Sequence, residues 1–449
     1  MSVIEELNLI GPARHLVRIP PEIDVPLSPR AMAMLDTAAL RRLSRISQLG
    51  LVHLVYPGAT HSRLEHSLGV YRNALLVLHN LAASGAGMLA DDPRAAEAFV
   101  LAALLHDAGH WPFCHAIEDM RLPDLPRHER RVAALVSEGE VADLIAQQWR
   151  CDGDDVMSLL LGKRIGGSQL SDAAIELLAS CLSGPIDVDK LDYLVRDSLH
   201  AGVPYGRHFD SARLVAAMTV DPQQPRLAIT EKGRTAAEMM VFARYVMFSE
   251  VYWHHGVRAA TAMLQRSVHD LRDRVDLEQL MRLDDAEWIA RWRQAAADSP
   301  QQPLVEGLFG PKRTLYKRIA EFNRSQRGDL HRQLARRPYP WLALCADELG
   351  RQLARQARLP IRPGDVLIDA PPVKLEVDIN VTVVGRDGSV RALADVSPVA
   401  DALARQQFDD HVKRVRIFVR PEFRQTLLPL MSDDAHLHRA IETLQREIV

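Results

Sequence analysis

Between about residues 30 and 335, apolar and polar positions recur with the three-to-four-residue spacing of amphipathic helices. The clearest segments are residues 64–80, 95–109, 172–182 and 235–273. Glycine and proline separate them, for example at Pro57-Gly58 and Gly184-Pro185. The pattern therefore predicts a large helical body.

The pattern changes near residue 360. Over 375–383, apolar residues alternate with polar ones, which predicts a strand with one buried face. A turn at 385–388 and a short strand near Val390 follow. We expect a helix over 398–407, a strand over 415–419 and helical structure over 422–449.

These patterns divide the chain into three parts. Residues 1–30 contain five prolines and are expected to form an extended arm or a short hairpin. Residues 31–335 form the helical body, and residues 336–449 form a small α+β lobe. The predicted fold class is mainly α.

Composition excludes several classes of protein. The 449 residues are 47% hydrophobic and 25% charged, which is typical of a globular protein and not of a disordered one. The net charge of −3 gives no global attraction to nucleic acid, so a nucleic-acid partner is not expected. The four cysteines are far apart, and no apolar run is long enough to span a membrane. We expect a soluble, cytoplasmic protein without a membrane partner.

Histidines are concentrated between residues 61 and 128. His106 and Asp107 end an apolar helical segment, where an acid is costly unless it is paired or binds a cation. Imidazole and carboxylate together suit a divalent transition metal, and His110 lies one turn further on. A hydrogen-bonded His–Asp pair in the core remains the alternative for this dipeptide alone.

Two other segments carry polar residues beside apolar stripes. His66 lies off the apolar stripe of its helix, with Arg63 three residues before it. Asp189, Tyr193 and Asp197 share one face of a later predicted helix, together with Arg196. A surface histidine and a solvated helix face are the alternatives for these two segments.

The sequence resembles the HD-domain metal phosphohydrolases in the order of His66, His106-Asp107 and Asp189 and in the motifs around these residues. The sequence motifs at 56–70, 106–115 and 187–197 are similar to those of one branch of this family. That branch contains the SAM-and-HD-domain deoxynucleoside triphosphate triphosphohydrolases and their bacterial relatives. The resemblance covers about residues 30–270 and extends weakly into the lobe. It implies an HD-domain helical body.

The resemblance implies that His66, His106, Asp107 and Asp189 bind one divalent metal ion. Two nitrogens and two oxygens suit Mn, Mg, Fe, Co, Ni or Zn, and the sequence does not choose among them. In this family a metal-activated water attacks the α-phosphorus of a deoxynucleoside triphosphate. The products are the deoxynucleoside and inorganic triphosphate.

The resemblance also implies roles for other residues. His110, His115 and His128 match catalytic histidines, with His115 the expected acid for the leaving oxygen, and Glu129 could orient a histidine. The positions that match substrate contacts are Gln48, Leu49, Arg63, Lys190, Tyr193, Asp197, Arg244 and Tyr252. Three of these, Arg63, Lys190 and Arg244, match phosphate contacts, and Tyr252 matches the residue under the deoxyribose.

Some positions depart from the family pattern. Trp253 and His255 stand where the vertebrate enzyme has Gln and Lys near the base, so base preference stays open. Asp36 matches an acid that reads guanine in activated members, but Ser44 stands where a basic residue is expected. Activation by a guanine nucleotide is therefore expected to be absent or chemically different. No SAM-like domain is expected before the body, and a homo-oligomer (dimer or tetramer) is expected.

Two alternative functions, one enzymatic and one non-enzymatic, are also compatible with the sequence. The chain could be an HD hydrolase of another nucleotide or phosphoester, or a nucleotide-binding regulator on the same fold. A degenerate regulator should lack a metal ligand or a catalytic histidine, and none is missing here.

Overall fold

The computed structural model describes residues 4–10, 15–83, 92–123, 125, 127–335, 337–370, 380–406 and 412–447. Most of the strand predicted over 375–383 lies outside the described residues, since 371–379 are not among them.

The α-helices of the described residues are numbered here in chain order. In the first half they are α1 (Pro29–Leu35), α2 (Ala38–Leu43), α3 (Arg63–Ala83), α4 (Pro93–Leu105), α5 (Cys114–Glu118), α6 (His128–Ser137), α7 (Glu140–Gln148), α8 (Gly153–Leu161), α9 (Asp172–Leu182), α10 (Val188–His200) and α11 (Ser211–Ala216). In the second half they are α12 (Arg234–Met247), α13 (His255–Leu271), α14 (Leu277–Leu280), α15 (Asp285–Ala296), α16 (Gln302–Phe309), α17 (Gly328–Ala335), α18 (Tyr339–Ala357), α19 (Leu393–Val396), α20 (Pro398–Gln406), α21 (Arg424–Leu427) and α22 (Ala435–Glu447).

The strands form three small sheets. They are β1 (Leu16–Ile19), β2 (Ile23–Pro26), β3 (Met218–Val220), β4 (Leu227–Thr230), β5 (Lys317–Phe322), β6 (Val366–Asp369), β7 (Thr382–Val384), β8 (Val390–Ala392) and β9 (Val415–Val419). β1 and β2 pair as an antiparallel hairpin, with Leu16 opposite Pro26. The second sheet has the order β3-β4-β7-β8, in which β4 and β7 are parallel. The third has the order β5-β9-β6 and is antiparallel.

Helix α4 lies at the centre of the helical body. All its residues from Ala95 to Leu105 are buried, which explains why they are apolar apart from Glu97, whose carboxylate accepts hydrogen bonds from Arg30 and from the Arg150 backbone N–H. It packs against α3 on one side and α8 and α9 on the other. Because α4 ends at Leu105, the polar residues that follow it emerge directly from the core.

Capping side chains fix where the helices near this point begin. Ser171 accepts a hydrogen bond from the backbone N–H of Ala174 at the start of α9. Asp187 accepts one from the N–H of Lys190 at 2.7 Å and so starts α10. The start of α10 places Asp189 in its first turn.

The structure confirms a mainly helical HD-type body with a small α+β lobe. The helix predicted over 95–109 was too long, because it ends at Leu105 and His110 lies in a turn beyond it. The single helix predicted over 235–273 is divided into α12 and α13 by a π-helical turn, Phe248–Tyr252. Within the described part of the chain, no helix is both long and apolar enough to cross a lipid bilayer.

The domain boundary expected at residue 335 remains a prediction. Strands from before this boundary form hydrogen bonds with strands from after it in two separate sheets. β5 precedes this boundary but pairs with β9, and the two share a core with α18. β7 follows the boundary but pairs with β4 of the helical body. The lobe and the body are therefore interleaved in sequence.

Candidate metal centre and active site

Three buried helices bring the predicted metal ligands together. His66 lies in the first turns of α3, His106 and Asp107 follow the last residue of α4, and Asp189 lies in the first turn of α10. α3 packs against both α4 and α10. Residues that are more than a hundred positions apart in sequence therefore converge on one point.

The four predicted ligands face one another. His66 Nε2 lies 3.2 Å from His106 Nε2 and 3.0 Å from Asp189 Oδ1. His106 Nε2 lies 3.4 Å from Asp107 Oδ1 and 4.0 Å from Asp189 Oδ1. Atoms bound to a common ion at about 2.1 Å are separated by roughly 3 to 4 Å. His66, His106 and Asp107 each offer a ligand atom within 4.8 Å of the others, and Asp189 approaches this group from the side of the two histidines.

The Nδ1 atoms of the two imidazoles, which face away from the cluster, form hydrogen bonds with other groups of the protein. His66 Nδ1 lies 2.8 Å from Asp192 Oδ2, and His106 Nδ1 lies 2.9 Å from the Ala103 carbonyl oxygen. Both partners accept a hydrogen bond from Nδ1–H, so loss of the Nε2 proton to an incoming cation would direct both Nε2 lone pairs at the centre of the cluster. This arrangement of two nitrogens and two carboxylates fits a divalent cation.

The charges of this cluster shift the pKa values of its members. Burial would lower the pKa of His66, but its hydrogen bonds to Asp189 and Asp192 raise the pKa to about 10. Burial would raise the pKa of Asp189, but His66 and His106 lower it to about 2. Asp189 is therefore a carboxylate at neutral pH and offers an anionic oxygen to a cation.

Arg63 lies at the edge of the cluster. Its Nη1 donates to Asp107 Oδ2 at 2.7 Å, and the residue is only 3% exposed. Within the part of the chain that the structure describes, Arg63 Nε has no hydrogen-bond partner. Arg63 therefore orients one carboxylate of the cluster and keeps another N–H donor unused.

Three histidines form a second cluster next to the first. The His110 ring lies 3.9 Å from the His128 ring and 4.8 Å from the His115 ring, measured between centroids. His110 Nδ1 is 3.2 Å from Asp107 Oδ1, which joins this cluster to the metal ligands. His110 is buried, whereas the His115 side chain is 65% exposed. His115 is therefore the most accessible of the three.

The carboxylate that holds this histidine cluster is Glu118. Both of its oxygens lie 3.1 Å from His128 Nδ1, and it also accepts the His128 backbone N–H at 2.8 Å. Glu118 Oε2 lies 3.9 Å from His115 Nδ1. Glu129, the orienting residue expected from the sequence, has its Oε2 3.8 Å from His128 Nδ1. Glu118 thus makes the hydrogen bonds that the sequence assigned to Glu129.

Asp197 is the centre of a third group. Its Oδ1 lies 2.9 Å from His61 Nε2, and its Oδ2 accepts the Tyr252 hydroxyl at 2.6 Å. The Tyr252 and Tyr193 rings meet edge to face at 6.4 Å between centroids. The backbone N–H of Gln48 donates to the His61 carbonyl oxygen at 2.9 Å. The predicted sugar contacts therefore lie in one connected group, and Leu49 follows Gln48 in the chain.

Two predicted phosphate contacts flank the loop before α10. Lys190 Nζ donates to Asp187 Oδ2 at 2.5 Å, and Arg244 Nη1 donates to the Pro185 carbonyl oxygen at 3.4 Å. Burial raises the pKa of Tyr193, while the nearby charges of Arg244 and Lys190 act to lower it. Both cations are therefore electrostatic neighbours of Tyr193, and Lys190 directly follows Asp189 in the chain.

Sequence reasoning missed several residues of the site. Asp192 contacts His66 from the buried side of α10, and Glu118 lies one turn after His115. The sequence placed Arg196 on one face with Asp189, Tyr193 and Asp197, but Arg196 is buried and pairs with Asp192 instead. His200 stacks on His61 with ring centroids 4.4 Å apart. The i, i+3 spacing of His115 and Glu118 was a usable signal. No local pattern indicated that Asp192 contacts His66, because that contact spans 126 residues.

This cluster of two histidines and two carboxylates, in which His66 and Asp107 are buried and His106 and Asp189 are partly exposed, offers donor atoms suited to a divalent cation. The HD domain family model matches residues 63–181, and the HD associated region matches residues 209–439. The chain belongs to the HD-domain phosphohydrolase family. The ligands His66, His106 and Asp107 fall in the first match, and Asp189 falls between the two matches.

Comparison with known proteins gives relatives at moderate identity. An uncharacterized protein of Methanocaldococcus jannaschii, MJ1154, is 28% identical over 385 residues, covering 85% of this chain and 74% of the relative. The deoxynucleoside triphosphate triphosphohydrolase SAMHD1 of Bos taurus is 30% identical over 224 residues, covering 44% of this chain and 37% of the relative. The solved structure of a phosphohydrolase from Bacteroides thetaiotaomicron is similar with a TM-score of 0.67 and 22% identity, covering 91% of this chain and all of that one.

Proposed function

We propose that this protein is a metal-dependent deoxynucleoside triphosphate triphosphohydrolase. In the proposed reaction, water attacks the α-phosphorus, and the bond between that phosphorus and the 5′-oxygen breaks. The products are the deoxynucleoside and inorganic triphosphate. We further propose that His66, His106, Asp107 and Asp189 hold one divalent ion. The similarity to SAMHD1, which covers 44% of this chain, supports a nucleotide substrate.

The observation that carries this proposal is the adjacency of three groups: the metal cluster, the histidine cluster and the Asp197 group. Asp107 links the first two through its 3.2 Å contact with His110 Nδ1. Helix α10 links the first and the third, because it carries both Asp189 and Asp197, and Asp197 accepts the Tyr252 hydroxyl. A phosphate ester whose sugar lies against Tyr252 would therefore present its phosphate to the metal ligands.

The proposed chemistry divides between the ion and the protein side chains. When bound, a divalent ion supplies Lewis acidity to a phosphoryl oxygen and acidifies water. Arg63 has a free Nε–H among the described residues, and it is suited to a phosphate oxygen. His115 has a side chain that is 65% exposed, and it is proposed to give a proton to the leaving 5′-oxygen. Burial and the charge of Arg63 lower the pKa of His115 in the free protein, and the negative charge of a bound triphosphate would raise it for this role. Glu118 stabilises the charged forms of His115 and His128 during this transfer.

The preference for a deoxyribose is proposed to come from the Asp197 group. A carboxylate accepts a hydrogen bond from a sugar hydroxyl, and Asp197 is fixed for this by His61 and Tyr252. Gln48 Oε1 is buried without a hydrogen-bond partner among the residues described, so a bound hydroxyl would satisfy it. The Tyr252 ring against the sugar would leave little space for a 2′-hydroxyl.

The test is a product analysis with the eight common nucleotides. Purified protein is incubated with each dNTP and NTP in Mn²⁺, Mg²⁺ or Co²⁺, and the products are resolved by anion-exchange chromatography. We expect deoxynucleoside and triphosphate from dNTPs and slow or no turnover of NTPs. H115Q should reduce turnover strongly while metal content stays unchanged.

The other outcomes contradict the proposal in different ways. Monophosphate with pyrophosphate, or free phosphate alone, would replace it with a different phosphohydrolase. Metal-dependent nucleotide binding without turnover would favour a regulator on the same fold. Equal hydrolysis of dNTPs and NTPs would refute the role given to Tyr252.

A further inference from the structure

A second cavity lies on the other side of α10 from the metal cluster. It has a volume of about 410 Å³ and is enclosed by the β1–β2 hairpin, α3, α10 and α11. Most of its wall is apolar, from Pro20, Pro21, Ile23, Leu76, Leu191 and Val195. Ligand pockets of small molecules typically have volumes of roughly 300 to 1,000 Å³, so the cavity is large enough for one.

One uncompensated cation faces this cavity. Arg72 lines the wall and is half-buried, and among the described residues its guanidinium makes neither a hydrogen bond nor an ion pair. The two carboxylates that attract it most, Asp192 and Asp24, already serve other arginines. Arg18 binds both oxygens of Asp24, and Arg196 binds both oxygens of Asp192. A half-buried cation beside apolar side chains favours an anion with an apolar body.

The same cavity borders the residues that orient a metal ligand. Asp192 and Arg196 both line it, and Arg196 donates to Asp192 at 2.8 and 2.7 Å. Asp192 Oδ2 in turn holds His66 Nδ1 at 2.8 Å. Arg196 also donates to Glu65 Oε1 at 2.6 Å and to the Pro20 carbonyl oxygen at 3.0 Å. The hairpin wall of the cavity is therefore connected to His66 through two buried charged side chains.

We propose that this cavity is a ligand site for a small anion with an apolar body, a carboxylate or a phosphate monoester, whose anionic group pairs with Arg72. Occupancy shifts the position of Arg196 and Asp192 and so changes the affinity of His66 and its neighbours for a metal ion. The ligand site itself does not depend on the proposed hydrolysis, whereas its coupling to the metal ion rests on the proposed metal site. By thermodynamic linkage, the bound ligand changes the affinity for the metal ion by the same factor as the bound metal ion changes the affinity for the ligand.

The binding test uses isothermal titration calorimetry of the full chain with three matched probes. Octanoate and octyl phosphate carry the anionic group, and 1-octanol carries the same apolar chain without it. Because a charge-assisted pair contributes more than a neutral contact, we expect at least one of the anions to bind about tenfold or more tightly than 1-octanol. The tighter anion also identifies which of the two headgroups the site prefers.

Three variants locate the binding. R72Q should reduce the affinity for the preferred anion to that of 1-octanol, because it removes the charge and keeps the chain length. A216F places a large ring from the exposed helix α11 into the cavity and should abolish binding of all probes. R424Q changes an exposed arginine elsewhere and should leave binding unchanged. Equal binding of anion and alcohol, binding that survives R72Q and A216F, or no binding at all would overturn the site.

The coupling test titrates Mn²⁺ into the protein with and without saturating anion, in the absence of nucleotide. We expect the Mn²⁺ dissociation constant to change at least twofold, and R72Q to remove the change. An unchanged constant would overturn the coupling. Since no nucleotide is present, failure of this inference and failure of the proposed hydrolysis are distinguished.

Discussion

Replacing Asp192 by Asn tests whether the metal ligands depend on the charged residue behind them. Asp192 is 5% exposed and contacts His66 Nδ1 at 2.8 Å with one oxygen. The same carboxylate holds Arg196 at 2.8 and 2.7 Å. Asn preserves the shape of the side chain but removes its charge. The change therefore weakens both the orientation of His66 and the pairing of a buried arginine.

The magnitude follows from these two contacts. Loss of a carboxylate partner of a metal-binding histidine typically weakens metal affinity about 10- to 100-fold, equivalent to about 1.4 to 2.8 kcal/mol. Breaking a buried ion pair typically costs about 3 to 5 kcal/mol. Arg196 keeps Glu65 as a partner at 2.6 Å, so we expect a stability loss near the lower end, about 3 kcal/mol.

The assay combines Mn²⁺ titration calorimetry with chemical denaturation of the metal-free protein. The matched control is D24N, which also removes a carboxylate that binds an arginine through two hydrogen bonds. That pair is exposed, with 69% of the Arg18 side chain and 39% of the Asp24 side chain accessible. We expect D24N to leave the free energy of unfolding nearly unchanged, because solvent screens an exposed pair, and to leave metal affinity unchanged. Wild-type metal affinity in D192N, with the protein folded, would refute the reasoning.

Three further predictions concern the catalytic groups and the lobe. E118Q should lower kcat about 100-fold or more with little change in KM, since it removes the carboxylate that stabilises charged His128, and steady-state kinetics with Mn²⁺ would measure this. Y252F should raise KM for dNTPs because Asp197 loses its 2.6 Å hydroxyl contact, and an unchanged KM would argue against a sugar contact there. In strand β5, which pairs with β9 of the lobe, burial would raise the pKa of Glu321, but Arg416 and other arginines lower it to about 2, below the ordinary value of 4.5. Its contribution to stability is therefore complete above about pH 5 and is lost as the pH falls towards 2, so thermal denaturation should show a smaller acid-induced decrease in Tm for E321Q than for the wild type.

The repetitive features of the fold could be predicted from sequence. Helix α9 begins and ends as its apolar spacing indicates, and strand β9 occupies the residues that its apolar run predicts. Helix ends were harder to predict. Residues 106–109 continue the apolar spacing of α4, but the chain turns there so that His106 and Asp107 leave the core. The break between α12 and α13 likewise has no proline or glycine pair to indicate it.

The four expected metal ligands could be recognised because each lies in a short local motif. The structure places His66 near His106 and Asp189, and His106 near Asp107, and their role as metal ligands remains a prediction. Their supporting residues were not predictable in the same way. In the sequence, Asp192 and Arg196 look like ordinary polar residues of an amphipathic helix. Only the packing of α10 against α3 shows that they lie behind His66. The pairing of β7 with β4 also depends on tertiary structure, because parallel partners so far apart leave no local pattern.

The central claim is that one divalent ion binds between His66, His106, Asp107 and Asp189. The most direct measurement is the stoichiometry of Mn²⁺ bound to the purified chain, by elemental mass spectrometry after equilibrium dialysis. We predict one ion per chain in the wild type and none above background in the doubly substituted H106A/D107A protein, with circular dichroism showing that the variant is folded. A folded H106A/D107A protein that still binds one ion, or a wild-type protein that binds none, would contradict the claim.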